Sequence, residues 1–155
     1  MNKREVVQQA LKNNNYFILR IFQVPGKSRE QVAKEIVRML AMDPNVNNKS
    51  VTQVLYSSDH YFVFFVPEVG IIACGAVSRD CEIKSIFVKP EFRRMGVASL
   101  LIKFLEDYAR HELRCTKVCM KIKPKNSAML KLAEKLGYRV RYVYVDKAVR
   151  RVEES

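Results

Sequence analysis

The chain has 155 residues, 48% of them hydrophobic and 28% charged, enough to bury one core and too apolar for a disordered segment. Its formal net charge of +12 favours an anionic partner, whether nucleic acid, an anionic membrane surface or a phosphorylated cofactor, or serves only to keep the surface soluble. Pro67, Glu68 and two glycines interrupt the most apolar window, residues 61–77, which excludes a membrane span there. Gln8 and Gln9 stand where a secretion signal would have its apolar centre, so a cytoplasmic location is expected. Cys74, Cys81, Cys115 and Cys119 contain no Cys-x-x-Cys pair, and His60 and His111 lie at no ligand spacing, so no metal is expected. Cys74 and Cys119 fall in strand-like runs where a thiol packs as a small hydrophobe; Cys81 also reads as a core thiol, which fits a reducing compartment.

Residues 4–12 carry a weak helical pattern that Asn13-Asn14-Asn15 breaks. Residues 16–23 (YFILRIFQ) read as a buried strand closed by Pro25-Gly26. Ser28 and Gln31 form a capping-box pattern, opening a helix whose apolar face is Val32, Ala33, Ile36, Val37 and Leu40. Asp43-Pro44 stops that helix, an Asn-rich loop follows, and residues 51–58 carry no assignable pattern. Residues 60–66, 71–78 and 82–88 read as three strands joined by tight turns at 68–70 and 79–80, hence an antiparallel meander. A helix is predicted from Gly96 to about Leu113, a strand over 117–123, a helix over 127–136 ended by Gly137, and a last strand region over 138–149. A crossover through the long helix should make strands 82–88 and 117–123 parallel. The expected architecture is a single α/β domain over residues 1–155, a mostly antiparallel mixed sheet with one parallel pair, flanked by helices.

Between the third meander strand and the long helix lies Lys89-Pro90-Glu91-Phe92-Arg93-Arg94-Met95-Gly96-Val97-Ala98. A basic turn and one glycine before a helix make an anion cradle, because the first N–H groups of a helix lack partners and its dipole adds positive character. A strand running into Val-x-Pro-x-aromatic and then Arg-x-x-Gly-x-Ala resembles the acyl-CoA signature of the GNAT superfamily of N-acetyltransferases. A second block at the superfamily's spacing, Asn126-Ser127-Ala128 and then Leu132-x-Glu134-Lys135-Leu136-Gly137-Tyr138, strengthens the resemblance.

That resemblance implies acetyl-CoA as acyl donor, with its pyrophosphate on the backbone N–H groups of Arg94, Met95, Gly96, Val97, Ala98 and Ser99 and Arg93 beside them. It implies a pantetheine arm lying like an added strand along Ile86, Phe87 and Val88. Asn126 matches a residue that contacts the cofactor in the superfamily; as a plain helix cap for Ser127 it would serve equally. Lys89, Lys121, Lys123 and Lys125 would add positive charge around the same site. Glu82 stands where lysine-acetylating relatives carry their general base, and Lys84 shares its strand face, an ammonium that would weaken a base. Many relatives have a tyrosine seven residues after the asparagine to protonate the departing thiolate; here that position is Ala133, with Tyr142 and Tyr144 as possible substitutes in the last strand region. His60 and His111 are assigned no catalytic part.

The implied function is transfer of an acetyl group to a primary amine of a protein or small molecule by direct attack in a ternary complex. A non-catalytic acyl-CoA-binding module is the alternative, motivated by Ala133. A nucleic-acid-binding protein is a weaker one that rests on charge alone, with no recognition motif behind it.

Overall fold

The apolar runs between residues 60 and 88 pair as the meander predicts. A computed structural model of the chain describes residues 1–46, 48–142 and 145–149. Strands β1 (Phe17–Arg20), β2 (His60–Val66), β3 (Gly70–Val77) and β4 (Ile83–Val88) form a four-stranded antiparallel sheet in that order. Alternation sends Phe62 and Phe64 to one face and Tyr61 and Val63 to the other, and all four are buried. Both faces are covered, so β2 and β3 read as nearly continuous apolar runs instead of the one-sided alternation of a solvent-facing sheet.

Helices α1 (Lys3–Lys12) and α4 (Val97–His111) cover the Phe62 face together with α5 (Ser127–Lys135), while α2 (Arg29–Ala41) and α3 (Val51–Tyr56) cover the Tyr61 face. Leu101, Ile102 and Leu105 anchor α4 with no solvent exposure, so truncating any of them to alanine should cost about 2–5 kcal/mol. The capping box at Ser28 is complete in both directions, and Val32, Ala33, Ile36 and Leu40 are buried with Met39. Ser50 and Gln53 repeat the same box and start α3, in the region that carries no periodicity long enough to read. Gly137, at φ 94°, ends α5 in a Schellman motif: Tyr138 N–H donates to Ala133 O at 2.9 Å and Gly137 N–H to Glu134 O at 3.0 Å.

Three expectations fail. The parallel pair reduces to one bridge, Glu82 to Cys119, flanked by Ile83 N–H to Cys119 O (2.8 Å) and Cys119 N–H to Cys81 O (3.0 Å). The reason lies in β4: Ala73 pairs with Val88 and Cys74 with Phe87, but Ala76 pairs with Lys84, so Gly75 faces both Ser85 and Ile86 across a bulge. Ser85 takes a left-handed φ of 57° there, and a bulge bends the strand that carries it. Residues 120–123 therefore run past β4 without a ladder. Lacking a partner strand, the described residues of 138–149 form none either, and Val140 and Tyr142 are exposed. Tyr142 thus does not pack as an aromatic, and Tyr144 lies outside the described residues. Third, Cys81 is bonded to Cys115 in a disulfide and is no free core thiol; Cys119 is exposed, and only Cys74 is the buried thiol expected. No described helix is long and apolar enough to cross a membrane.

Candidate active site

β4 lies at the edge of the sheet, and beyond Ile83 no described strand pairs with its outer side, although the Arg93 side chain reaches Val88 O. Its backbone there is open to an extended ligand that could add as another strand. Ile86 turns its side chain beneath α4 and Phe87 faces α2, so either would meet a ligand only through its backbone. Gly75 leaves room opposite the bulge, since a Cβ added there would lie 2.7 Å from Ile86 Cδ1 and 3.1 Å from Leu105 Cδ1 and side chains would have to shift.

At Val88 the chain leaves β4 through a 3-10 turn, Pro90–Phe92, and enters α4. Two left-handed residues shape the entry, Arg94 at φ 64° and Gly96 at φ 83°. Gly96 is the N-cap and offers no side chain to the first N–H groups of α4. A Cβ built on Gly96 would meet no protein atom within 4 Å, so the space in front of the turn is open. Successive N–H groups in such a turn form an anion-binding concavity, and the dipole of a 15-residue helix reinforces it.

A cavity of about 380 Å³ sits on this turn. Val88, Arg93, Arg94, Gly96, Val97, Ala98 and Ser99 line it, all named by the sequence. Phe92, Leu132 and Lys135 complete the wall; Leu132 and Lys135 come from α5, and only the docking of that helix reveals them. Met95 packs partly into the core and Asn126 caps α5, its Oδ1 accepting from Met129 N–H at 3.3 Å; neither lines the cavity. Arg93 folds back, with Nε donating to Val88 O at 2.9 Å and its guanidinium 5.2 Å from the Phe87 ring centroid. Lys89 is drawn to Glu35 of α2 at 3.2 Å, and Lys27 reaches the same carboxylate at 2.6 Å. Burial pushes the Glu35 carboxyl up, but the two lysines outweigh it and hold it below its ordinary value. Uncapped amides, two arginines and a lysine around an open cavity are the donor set that a diphosphate-bearing cofactor needs, so these residues fit acetyl-CoA.

At the other end of β4 the groups are side chains. Glu82 Oε1 lies 3.6 Å from Lys121 Nζ, and its own N–H donates to Ser78 Oγ at 3.2 Å. Lys84 bonds Asp59 Oδ2 at 2.8 Å instead of pairing with Glu82. Desolvation lowers the Lys84 ammonium's affinity for its proton, but Asp59 and then Glu82 more than compensate, so its value rises and it stays charged. Sequence reasoning missed Asp59, because nothing in a lone aspartate before a strand shows which lysine it meets. Lys123 and Lys125 are exposed near the start of α5, outside the cavity wall. Ala133 is buried at 5% exposure beneath the Schellman turn and has no proton to donate. Cys74, whose buried thiol is pushed up to about 12 by desolvation, is inert.

Known proteins share this fold. No curated protein sequence matches the chain. Among solved structures, a spermidine N-acetyltransferase variant from Vibrio cholerae is similar at TM-score 0.67 and 15% identity, covering 84% of this chain and 83% of that one. An aminoglycoside 6'-N-acetyltransferase from Acinetobacter baumannii is similar at TM-score 0.63 and 17% identity, over 87% of this chain and 99% of that one. A glucosamine-6-phosphate N-acetyltransferase from Arabidopsis thaliana reaches TM-score 0.58 at 16% identity, over 87% and 99%. The family model for the acetyltransferase (GNAT) family matches residues 29–138, more than half of the sequence and the whole of the site, and the chain belongs to that family.

Proposed function

We propose that the protein transfers an acetyl group from acetyl-CoA to a primary amine by direct attack within a ternary complex. The observation that carries this reading is the open edge of β4 leading into the uncapped N-terminus of α4. Acetyl-CoA supplies an acyl thioester already activated toward amines. Backbone N–H groups from Arg94 to Ser99 hold its phosphates, with Arg94 and Lys135 beside them, and the edge of β4 at Ile86, Phe87 and Val88 orients its arm. A lysine-like amine is neutral in only about one molecule in a thousand at pH 7, so a base that takes its proton raises the reactive fraction. Glu82, whose side chain is 19% exposed at the start of the same strand, accepts that proton. No residue need protonate the departing thiolate, since a thiol with a pKa near 8.5 makes a good leaving group, and this reconciles activity with Ala133.

The charge distribution narrows the acceptor. Nine basic residues and one acid, Glu134, lie between Arg114 and Arg141, and all ten are exposed. Such a surface repels polycations, so a protein amine in acidic surroundings, or a small amine carrying its own anionic group, suits it better than a polyamine. The cytoplasmic setting expected from the sequence is a reducing one, in which the Cys81–Cys115 disulfide would have to resist cellular reductants; alkylation of freshly lysed cells reads whether it does.

Calorimetric titration with acetyl-CoA, followed by CoA release against spermidine, glucosamine-6-phosphate, an aminoglycoside and acid-flanked peptides, tests the proposal. Absence of binding refutes it. Binding with no release from any amine favours the acyl-CoA-binding module, the reading that buried Ala133 supports. Affinity for DNA that persists at high salt would revive the nucleic-acid alternative.

A further inference from the structure

The phosphate-binding turn is held from behind by a residue outside the family match. Arg4, in the first turn of α1, donates from Nη1 to Glu91 O at 2.9 Å and to Arg93 O at 3.1 Å. The family model begins at residue 29 and so does not include it. Those two carbonyls belong to the 3-10 turn and its exit, immediately before left-handed Arg94.

A trans peptide puts its C=O and N–H on opposite sides. Fixing the Arg93 carbonyl toward α1 therefore directs the Arg94 N–H away from α1. Arg94 lines the cavity, and as a non-glycine residue at φ 64° it keeps that conformation only where its surroundings hold it. The other side of the turn has its own restraints, Lys89 N–H on Ile72 O (2.9 Å) and Arg93 Nε on Val88 O (2.9 Å). Arg4 completes a three-point hold. Its guanidinium adds positive potential behind an anion site. Val7 and Ala10 bury α1 in the core independently of Arg4, so α1 can stay docked when that side chain changes.

We propose that Arg4 is a positioning residue that keeps the turn's N–H groups presented to the diphosphate of acetyl-CoA; the inference rests on the acetyl-CoA reading above. The test compares wild type, Arg4→Met and Arg4→Lys, titrating each with inorganic pyrophosphate and with acetyl-CoA. Arg4→Met should weaken both ligands about tenfold, the size of one charge-assisted hydrogen bond. Arg4→Lys should recover part of the loss. With an active acceptor, KM for acetyl-CoA should rise while kcat at saturation stays within about twofold, a split that general loosening of the fold would not produce. Pyrophosphate affinity equal to wild type in Arg4→Met, or no pyrophosphate binding by wild type, overturns the proposal. Wild type that binds pyrophosphate but not acetyl-CoA refutes the enzymatic reading instead, and the pyrophosphate arm still decides Arg4.

Discussion

The two ends of β4 solve different problems with different materials. At the Val88 end the groups on offer are backbone amides, shaped by left-handed Arg94 and Gly96 and by the start of a long helix. At the Glu82 end they are side chains, with Glu82, Lys121, Lys84 and Asp59 in two ion pairs. Backbone amides neither titrate nor change with the side chain that bears them, so the first end suits a donor that every turnover shares. Charged side chains titrate and are readily substituted, so the second end suits proton transfer and the choice of acceptor. The bulge at Ser85, opposite Gly75, separates them.

Four experiments break or sharpen that contrast. Glu82→Gln should lower kcat about 10²- to 10⁴-fold, the usual worth of a general base, while calorimetry finds acetyl-CoA affinity unchanged. A fall in affinity matching the fall in rate would mean that the two ends are not separate. Gly96→Val places a β-branched residue at φ 83° and should weaken acetyl-CoA binding by about tenfold or more, the scale of 1–3 kcal/mol of backbone strain. Gly75→Val overpacks the bulge against Ile86, Leu105 and Leu101 and should cost about 1–3 kcal/mol. For a chain of this length that lowers Tm by about 2–4 °C per kcal/mol in a thermal melt. The smallest effect concerns Glu35, whose carboxyl is held below its ordinary value of 4.5. A depressed folded-state value gives stability that is present above pH 4.5 and lost as pH falls through the lower folded value. Glu35→Gln should therefore cost about 1 kcal/mol or less at pH 7 and flatten the acid limb of a stability profile.

Much of the site was legible before any coordinates. The turn from Arg93 to Ser99 can be read because a helix start and its glycine are local in sequence, and local backbone geometry is set by neighbouring residues. The meander was legible for the same reason, through nearly continuous apolar runs closed by short turns. The Ser50 box was as complete as the Ser28 box, yet α3 stayed unassigned because six residues make too short a period to recognise. The parallel pair and the last strand were misjudged because the alternation at 117–123 is real, but a bulge in another strand denies it a ladder.

By itself, then, the sequence determined the antiparallel meander, the capped helices and the glycine turn before α4, since each depends on residues a few positions apart. Tertiary structure alone decided that Leu132 and Lys135 wall the cavity, that Asp59 takes Lys84 from Glu82, that Cys81 joins Cys115, and that Arg4 grips the turn from 87 and 89 residues away. Those pairings are set by how helices pack across the sheet, and no spacing along the chain encodes the distance between two groups that only the fold brings together.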